Sequence, residues 1–267
     1  MASKAGLATP ITLEASASAL KDLDFPVVVK SRLHWTPGKL NPETRLNAVV
    51  AHSRDDALRQ AALMRSAGAE PLFLQYVPGS VLSFHALVDK KHEIVSAQVQ
   101  VTTREYSSEP GLSARAESPP IADSLSVKVQ AFLAEIRWFG LAQLQFLCPD
   151  EGEPVLIDFN GRMYGSLEFA NACGMRAMDT WARLATGRSA TPSEMVVGLR
   201  YQALEGDLKW AMTQPGLKRF REVGDCLVEA FGAVHPILSW SDPLPVLAYL
   251  ARLPGRVLEA RKPAVSA

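Results

Sequence analysis

Cysteine is scarce in this chain, which has three cysteines among 267 residues. They stand at positions 148, 173 and 226, so they are odd in number, far apart and never in a Cys-x-x-Cys pair. This pattern predicts neither a zinc site nor a disulfide framework. Few, unpaired cysteines fit a reducing compartment, so we expect a cytoplasmic location.

An excess of charge and long apolar runs are also missing. Lys and Arg together number 28, Asp and Glu together number 28, and the formal net charge is zero. A neutral chain with dispersed basic residues is not expected to bind nucleic acid through bulk electrostatics. No apolar run approaches the length that crosses a bilayer, so we expect no membrane partner.

The chain does have a pair of short segments, residues 144–148 and 155–162, joined by a turn-rich stretch at 149–152. Folded as an antiparallel hairpin, they separate their side chains by face, because strand side chains alternate with period two. The apolar face consists of Leu144, Phe146, Cys148, Val155, Ile157 and Phe159. The polar face carries Gln143, Gln145, Asp158 and Asn160, with Leu147 and Leu156 nearer the turn.

The polar face of this hairpin is a candidate metal site. If Gln145 pairs opposite Asp158, the oxygen-bearing side chains of Gln145, Asp158 and Asn160 converge on one spot. Oxygen ligands suit a hard cation such as Mg²⁺, which often binds together with phosphates. Arg162 follows directly as a fork-shaped anion binder, and the chain then leads into a helix start, where anions are favoured.

The alternative is that this polar face meets only water, as it does in most amphipathic hairpins. The residue types favour the site, because Asp and Asn are depleted in strands unless something requires them. A solvated strand face would more often carry Lys, Glu or Thr.

The rest of the chain alternates short strand and helix patterns. A β-branched run over residues 24–30 predicts a buried strand that ends in Lys30, and Ser53 caps a predicted helix that reaches Ala67. Further strands are predicted over 47–51, 72–77, 81–89 and 93–104, helices over 124–138 and 166–185, and loops over 31–47 and 107–120. This order predicts an α+β architecture in two lobes with a ligand cleft between them.

Five short segments follow one another along the chain at residues 5–10, 25–30, 74–79, 104–113 and 144–162. Their order and spacing resemble the ATP-grasp superfamily, specifically its carboxylate–amine ligase and carbamoyl-phosphate-synthetase-like members. In that family they are the entry segment, the phosphate-binding strand, the adenine hinge, the mobile phosphate loop and the metal-binding hairpin. The likeness covers roughly residues 5–187.

The resemblance implies a nucleotide site for ATP. It implies that Lys30 binds the phosphates and that the hinge residues Gln75, Tyr76 and Val77 meet the adenine edge. Ser83 would face the ribose.

The resemblance also implies a metal and two catalytic arginines. Gln145, Asp158 and Asn160 would hold Mg²⁺, with Mn²⁺ as the alternative metal. Arg104 would reach the transferring phosphoryl group, and Arg162 would hold the acyl phosphate.

The chain departs from the family pattern at three places. Gln145 stands where most members have Glu, and Asp158 replaces a second Glu, so the site offers a single carboxylate. The usual preceding α/β domain is absent, so we expect that the sequence is a fragment, that a partner chain supplies that region, or that the protein works without it. The predicted fold is therefore two α+β ATP-grasp lobes that clasp a nucleotide, without the N-terminal domain. The first lobe covers residues 1–72, the second covers 73–187 with the hairpin, and an extension of unclear role covers 188–267.

The function predicted from this resemblance is an ATP-dependent ligase that activates a carboxylate as an acyl phosphate for attack by an amine. Its partners would be small-molecule carboxylate and amine substrates, and either a second copy or a partner chain. The alternatives are a non-catalytic or partner-dependent nucleotide-binding relative, and a phosphotransferase with a hydroxyl acceptor.

In the extension, a helix is predicted at the end of residues 241–258. Tyr201, Asp207 and Trp210 there belong either to a substrate-facing flap or to packing.

Overall fold

The computed structural model describes residues 1–33, 46–105, 113–189, 194–237 and 242–259. The chain divides into two compact units. The small unit comprises residues 8–79 and 149–156, and the large unit comprises residues 1–7, 80–148 and 157–267. Each unit combines an antiparallel sheet with helices, so the predicted α+β class is confirmed.

The small unit holds a four-stranded antiparallel sheet and one long helix. Its strands are β1 (Thr12–Glu14), β2 (Val27–Ser31), β3 (Val49–Ala51) and β4 (Pro71–Gln75), in the order β1, β4, β2, β3. Helix α1 (Arg54–Ser66) shares with this sheet a core of fully buried side chains that includes Val27, Val29, Ala57, Ala61 and Phe73. The β-branched run before Lys30 is thus the central buried strand that the sequence predicts.

Helix α1 begins at the predicted place. The Ser53 hydroxyl accepts a hydrogen bond from the Asp56 N–H at 3.3 Å, which caps the first turn. The helix ends at Ser66, and Gly68 follows with a φ of 82°, a conformation that glycine adopts without a Cβ penalty. Local capping chemistry was therefore sufficient to locate both ends of α1.

The large unit is built on a six-stranded antiparallel sheet. Its strands are β5 (Ser80–Val88), β6 (Ile94–Glu105), β7 (Ser113–Glu117), β8 (Gly140–Cys148), β9 (Val155–Asn160, of which residues 157–160 belong to the large unit) and β10 (Arg200–Gln202), in the order β10, β7, β6, β5, β8, β9. Helix α2 (Asp123–Glu135) buries Leu125, Val129, Phe132 and Leu133. Its Phe132 ring meets Phe159 of β9 edge to face, with centroids 5.9 Å apart, so α2 covers the apolar face of the predicted hairpin.

Strand β7 lies inside the stretch 107–120 that the sequence predicts to be a loop, so that prediction is wrong for residues 113–117. The strand alternates small buried residues, Ala114 and Ala116, with exposed or half-buried ones. Alanine is a poor strand former, and this weak pattern hides the strand in the sequence. Part of the predicted mobile phosphate loop, residues 106–112, lies outside the described residues, as do residues 34–45 of the other predicted loop.

The single helix predicted over residues 166–185 is two helices, α3 (Leu167–Ala172) and α4 (Ala177–Ala185). The break contains Gly174, whose φ is 95° and whose added Cβ would lie 2.6 Å from the Glu194 carbonyl oxygen. Arg176 also has a positive φ of 44°. Ser166 precedes α3, but its side chain makes no capping hydrogen bond.

The C-terminal part adds α5 (Leu204–Thr213), α6 (Lys218–Glu229) and α7 (Pro243–Glu259) to the edge strand β10. Helix α7 confirms the helix predicted at the end of residues 241–258. Tyr201 and Asp207 are buried, so the packing alternative describes them better than a flap.

Within the part of the chain that the structure describes, no helix combines the length and the hydropathy that a bilayer crossing requires. The segment limits at residues 72 and 187 stay predictions.

Candidate functional site

The polar side chains of the hairpin β8–β9 contact one another. The Asn160 Nδ2 donates hydrogen bonds to Gln143 Oε1 and to Asp158 Oδ2, each at 3.2 Å. If Gln143 and Asn160 stand directly opposite each other on the two strands, Gln145 stands opposite Asp158. The contact through Gln143 is one that the sequence analysis did not use, although Gln143 lies on the same predicted face.

The donor set on this face fits a hard cation. It offers one carboxylate, Asp158, next to the carboxamides of Asn160 and Gln143, and oxygen ligands of this kind are those that Mg²⁺ accepts. Within the described ranges, no three His, Cys, Asp or Glu side chains come together as a metal cluster. A metal on this hairpin would therefore depend on Asp158 for charge and on amide oxygens for the remaining protein ligands.

The apolar face fixes the position of the hairpin. The Phe159 ring meets Trp138 edge to face with centroids 4.9 Å apart, and the Trp138 Nε1 donates a hydrogen bond to the Leu141 carbonyl at 3.1 Å. A Cβ on Gly161 would lie 2.2 Å from the Trp138 ring, so this position requires glycine for close approach. The segment that leads from Asn160 to Arg162 is thus held against Trp138.

A buried row of polar side chains continues across the sheet from the hairpin. On β5, Ser83 pairs with Gln145 and His85 pairs with Gln143. On the other side of β5, Ser83 pairs with Gln100 and His85 pairs with Gln98. Ser83, the predicted ribose contact, is only 1% exposed and lies in this row beside the strand of the predicted metal ligands.

His85 is a completely buried histidine that the sequence analysis missed. Neither ring nitrogen forms a hydrogen bond with the described residues, and the side-chain oxygens of Gln98 and Gln100 are unsatisfied in the same way. The Tyr164 ring packs against the imidazole with centroids 4.5 Å apart. Burial lowers the pKa of His85 to about 3. The nearby Gln100 carboxamide has the smaller, opposite effect of raising this pKa, although it forms no hydrogen bond with either ring nitrogen.

The depressed pKa of His85 makes the stability of the protein depend on pH. Because the folded pKa of about 3 lies below the unfolded value of 6.5, the unfolded chain binds the proton first as the pH falls. We expect the free energy of unfolding to drop by about 2 kcal/mol between about pH 7 and pH 5 from this residue alone. Urea denaturation at both pH values measures the loss, and His85→Gln should remove that part of it.

The exposed His52, replaced as His52→Gln, is the matched control for this pH dependence. It should lose stability over the same pH interval to the same extent as the wild type. A His85→Gln variant that lost as much stability as the wild type between the two pH values would contradict the assignment.

Arg104, at the end of β6, has protein partners. Its guanidinium donates to Asp207 Oδ1 at 2.8 Å and to Glu222 Oε2 at 3.3 Å, and it lies over the Trp210 ring at 3.8 Å from the centroid. Asp207 has no exposed side-chain surface. The predicted contact of Arg104 with the transferring phosphoryl group stays a prediction, and in this structure the guanidinium faces carboxylates of α5 and α6.

Asp207 binds a second arginine from β7. The Arg115 Nε lies 2.6 Å from Asp207 Oδ2, and the Arg115 Nη2 lies 2.8 Å from Asp225 Oδ2. Burial alone would lower the pKa of Arg115, but its hydrogen bonds to Asp207 and Asp225 and the charge of Asp207 raise it above the ordinary value. We call Arg104, Arg115, Asp207, Glu222 and Asp225 the arginine network.

Cys226 lies inside the arginine network as an inert thiol. Burial and the charge of Asp207 raise the pKa of Cys226 to about 12. A thiol with this pKa stays protonated at neutral pH and is a poor nucleophile.

The remaining predicted site residues have simple surroundings. Arg162 is exposed, and its Nη1 donates to the Met163 carbonyl at 2.9 Å. Lys30 is half-buried near the end of β2. Gln75 ends β4, where its side-chain oxygen accepts from the Ile11 N–H at 3.3 Å, and the half-exposed Tyr76 and Val77 follow directly. Thus Lys30 and the hinge residues belong to the small unit, whereas Arg104, Arg162, Ser83 and the hairpin ligands belong to the large unit.

Comparison with known proteins gives matches among solved structures. No family model matches the chain, and no curated protein matches it. The ADP complex of N5-carboxyaminoimidazole ribonucleotide synthetase matches with a TM-score of 0.59 at 16% identity, over 84% of this chain and 57% of that one. The N5-carboxyaminoimidazole synthetase of Staphylococcus aureus matches with a TM-score of 0.59 at 14% identity, over 76% of this chain and 53% of that one.

A third match is the biotin carboxylase domain of the Hydrogenobacter thermophilus 2-oxoglutarate carboxylase, solved as a dimer with MgADP, ADP and bicarbonate. It has a TM-score of 0.56 at 14% identity, over 74% of this chain and 47% of that one. The chain spans about half the length of the solved structures that it matches. These neighbours are ATP-grasp proteins, and the chain has the ATP-grasp fold that the order of its segments predicts.

Proposed function

We propose that this chain is an ATP-dependent ligase that activates a carboxylate as an acyl phosphate for attack by an amine. The observation that supports this most directly is the contact among Asn160, Asp158 and Gln143 on the polar face of the hairpin. It gathers oxygen ligands on two neighbouring strands of a fold whose solved examples include complexes with ADP and MgADP. The substrates would be a small-molecule carboxylate and a small-molecule amine.

The roles follow from charge and position. Asp158, Asn160 and Gln145 would hold Mg²⁺, which together with ATP supplies the phosphoryl group and the neutralising charge for the reaction. Lys30 would bind phosphate oxygens as a point charge, and Arg162 would orient the oxygens of the activated carboxylate through its fork of donors. The backbone from Gln75 to Val77 would meet the adenine edge, with Ser83 on the ribose side.

Arg104 is the residue whose proposed role needs a rearrangement. Its guanidinium binds Asp207 and Glu222, so it would have to exchange carboxylates for phosphate to act on a phosphoryl group. Two features favour the second candidate function, a nucleotide-binding relative without catalysis. Arg104 is already bound to carboxylates of the protein, and Gln145 and Asp158 stand in place of two glutamates. The two candidates differ in ATP turnover, which only the ligase has.

Calorimetric titration of ATP into the full chain tests the proposal. We expect binding that requires Mg²⁺, because a hairpin with one carboxylate holds the metal weakly unless phosphates share it. We expect Lys30→Gln to weaken the magnesium-dependent binding about tenfold through the loss of a charge-assisted contact. The exposed Lys21, changed to Gln, is the control in the same unit and should bind like the wild type. Failure of the wild type to bind ATP in the presence of Mg²⁺ would contradict the proposal.

A further inference from the structure

The carboxamide of Asn160 lies between two hydrogen-bond acceptors on the polar face of the hairpin. Its Nδ2 donates to Asp158 Oδ2 on the same strand and to Gln143 Oε1 on β8, each at 3.2 Å. A carboxylate oxygen only accepts hydrogen bonds, so the nitrogen of the Asn160 amide, and not its oxygen, has to face Asp158. The orientation of the Asn160 side chain is therefore determined by the chemistry of its neighbour.

The orientation of Asn160 leaves its oxygen for another ligand. An amide nitrogen carries two hydrogens, and the two acceptors, Asp158 and Gln143, match this number. The Oδ1 lies on the other branch of the same planar carboxamide, so it is directed away from both acceptors. Asn160 thus presents an oxygen, the kind of atom that binds Mg²⁺ or Mn²⁺ in proteins.

The position of Gln143 is fixed by the sheet. Gln143 is only 6% exposed, and its strand β8 lies between β9 and β5. On β5, the residue that pairs with Gln143 is His85, and neither ring nitrogen of His85 forms a hydrogen bond with the described residues. The imidazole therefore does not compete with Asn160 for the oxygen of Gln143.

The same contact argues against Gln143 as a direct metal ligand. A cation at Gln143 Oε1 would lie beside the Asn160 amino group, whose hydrogens carry positive partial charge and point at that oxygen. Gln143 is also nearly inaccessible, whereas Asp158 and Asn160 are half-buried on the edge strand β9. Gln143 is thus placed to act on Asn160 rather than on the cation.

We propose that Gln143 is a positioning residue of the metal site, which acts through Asn160 by keeping the Asn160 oxygen turned toward the cation. This inference rests on the metal site of the proposed function but not on the ligase reaction, because metal and nucleotide bind without turnover. The terminal torsion of asparagine is broad, so without Gln143 the contact to Asp158 alone would restrain the carboxamide. Partners that orient a metal ligand in this way change metal affinity about tenfold to a hundredfold.

Calorimetric titration of Mn-ATP into the full chain, in a cycle of two substitutions, tests this role. Gln143→Met keeps the approximate volume of the buried side chain but removes the acceptor oxygen, and it should weaken Mn-ATP binding about tenfold. Asn160→Ala removes the ligand itself and should weaken binding at least as much. The double variant should bind no more weakly than Asn160→Ala alone, because Gln143 then has nothing to orient. A merely structural role of Gln143 would make the two losses additive.

Gln98→Met is the matched control, because Gln98 is a completely buried glutamine of the same sheet that lies on β6, two strands away from β8. It should bind Mn-ATP like the wild type, and circular dichroism should show every variant folded. Failure of the wild type to bind Mn-ATP would overturn the metal site together with this inference. If the wild type binds, an unchanged affinity of Gln143→Met, or additive losses in the cycle, would overturn the inference about Gln143 alone.

Discussion

Replacing Asp158 with asparagine should reduce magnesium-dependent ATP turnover roughly a hundredfold or more while the fold stays intact. The reason is that Asp158 is the single carboxylate among the predicted metal ligands, so the variant loses the only negative charge that this set offers a cation. Asp158 is half-buried, and Asn160 can still donate a hydrogen bond to the new amide oxygen. We therefore expect the free energy of unfolding to change by less than about 1 kcal/mol.

The rate of phosphate release from Mg-ATP, with a saturating set of candidate carboxylates and amines, measures this loss. Asp150→Asn is the control, because it removes an exposed carboxylate from the turn of the same hairpin and should leave turnover unchanged. Wild-type turnover in Asp158→Asn would show that the metal does not depend on the hairpin, and the ligand assignment would have to be abandoned.

Asp207→Asn should have the largest effect on stability, a loss of about 3–5 kcal/mol in the free energy of unfolding. Asp207 is completely buried and binds Arg104 and Arg115 at 2.8 and 2.6 Å, while Gln202 also donates to it at 2.6 Å. Removing its charge leaves two guanidinium groups, 17% and 14% exposed, whose remaining carboxylate partners among the described residues are Glu222 and Asp225. Breaking a buried ion pair from one side is costly because the remaining charge stays desolvated.

The variant Asp179→Asn tests whether burial, rather than the number of ion pairs, determines the loss in the free energy of unfolding. Asp179 also binds two arginines, Arg176 at 3.2 Å and Arg183 at 3.1 Å, but its side chain is 49% exposed. We expect a loss below about 1 kcal/mol, because exposed pairs contribute little. Urea denaturation of both variants makes the comparison, and equal losses would show that the arginine network is no stronger than a surface pair.

The hairpin could be predicted from the sequence because its geometry is local. Strand alternation alone places Asp158 and Asn160 on one face and Phe159 on the other. In the structure, Asn160 donates a hydrogen bond to Asp158, and Phe159 packs against Phe132. The same holds for α1, whose Ser53 cap acts within one turn of the helix. Features set by neighbouring residues are visible in a single sequence.

The arginine network could not be predicted, because its members meet only through the tertiary fold. Arg104 and Asp207 are 103 positions apart, and nothing near either residue indicates the other. The buried row around His85 left a faint signal, since polar residues recur at every second position on β5, β6 and β8. A search for polar alternation across several strands would have found this row.

The edge strand β10 has a practical consequence for anyone who shortens this protein. It pairs with β7 and closes one edge of the six-stranded sheet, and the helices that follow it supply the carboxylates for Arg104 and Arg115. An expression fragment that stopped near residue 187, where the family likeness ends, would display β7 as an open edge. Open edges recruit other chains and aggregate. A minimal soluble domain should therefore extend through α7, because Leu253 and Val257 of that helix are buried in one cluster with Leu204 of α5.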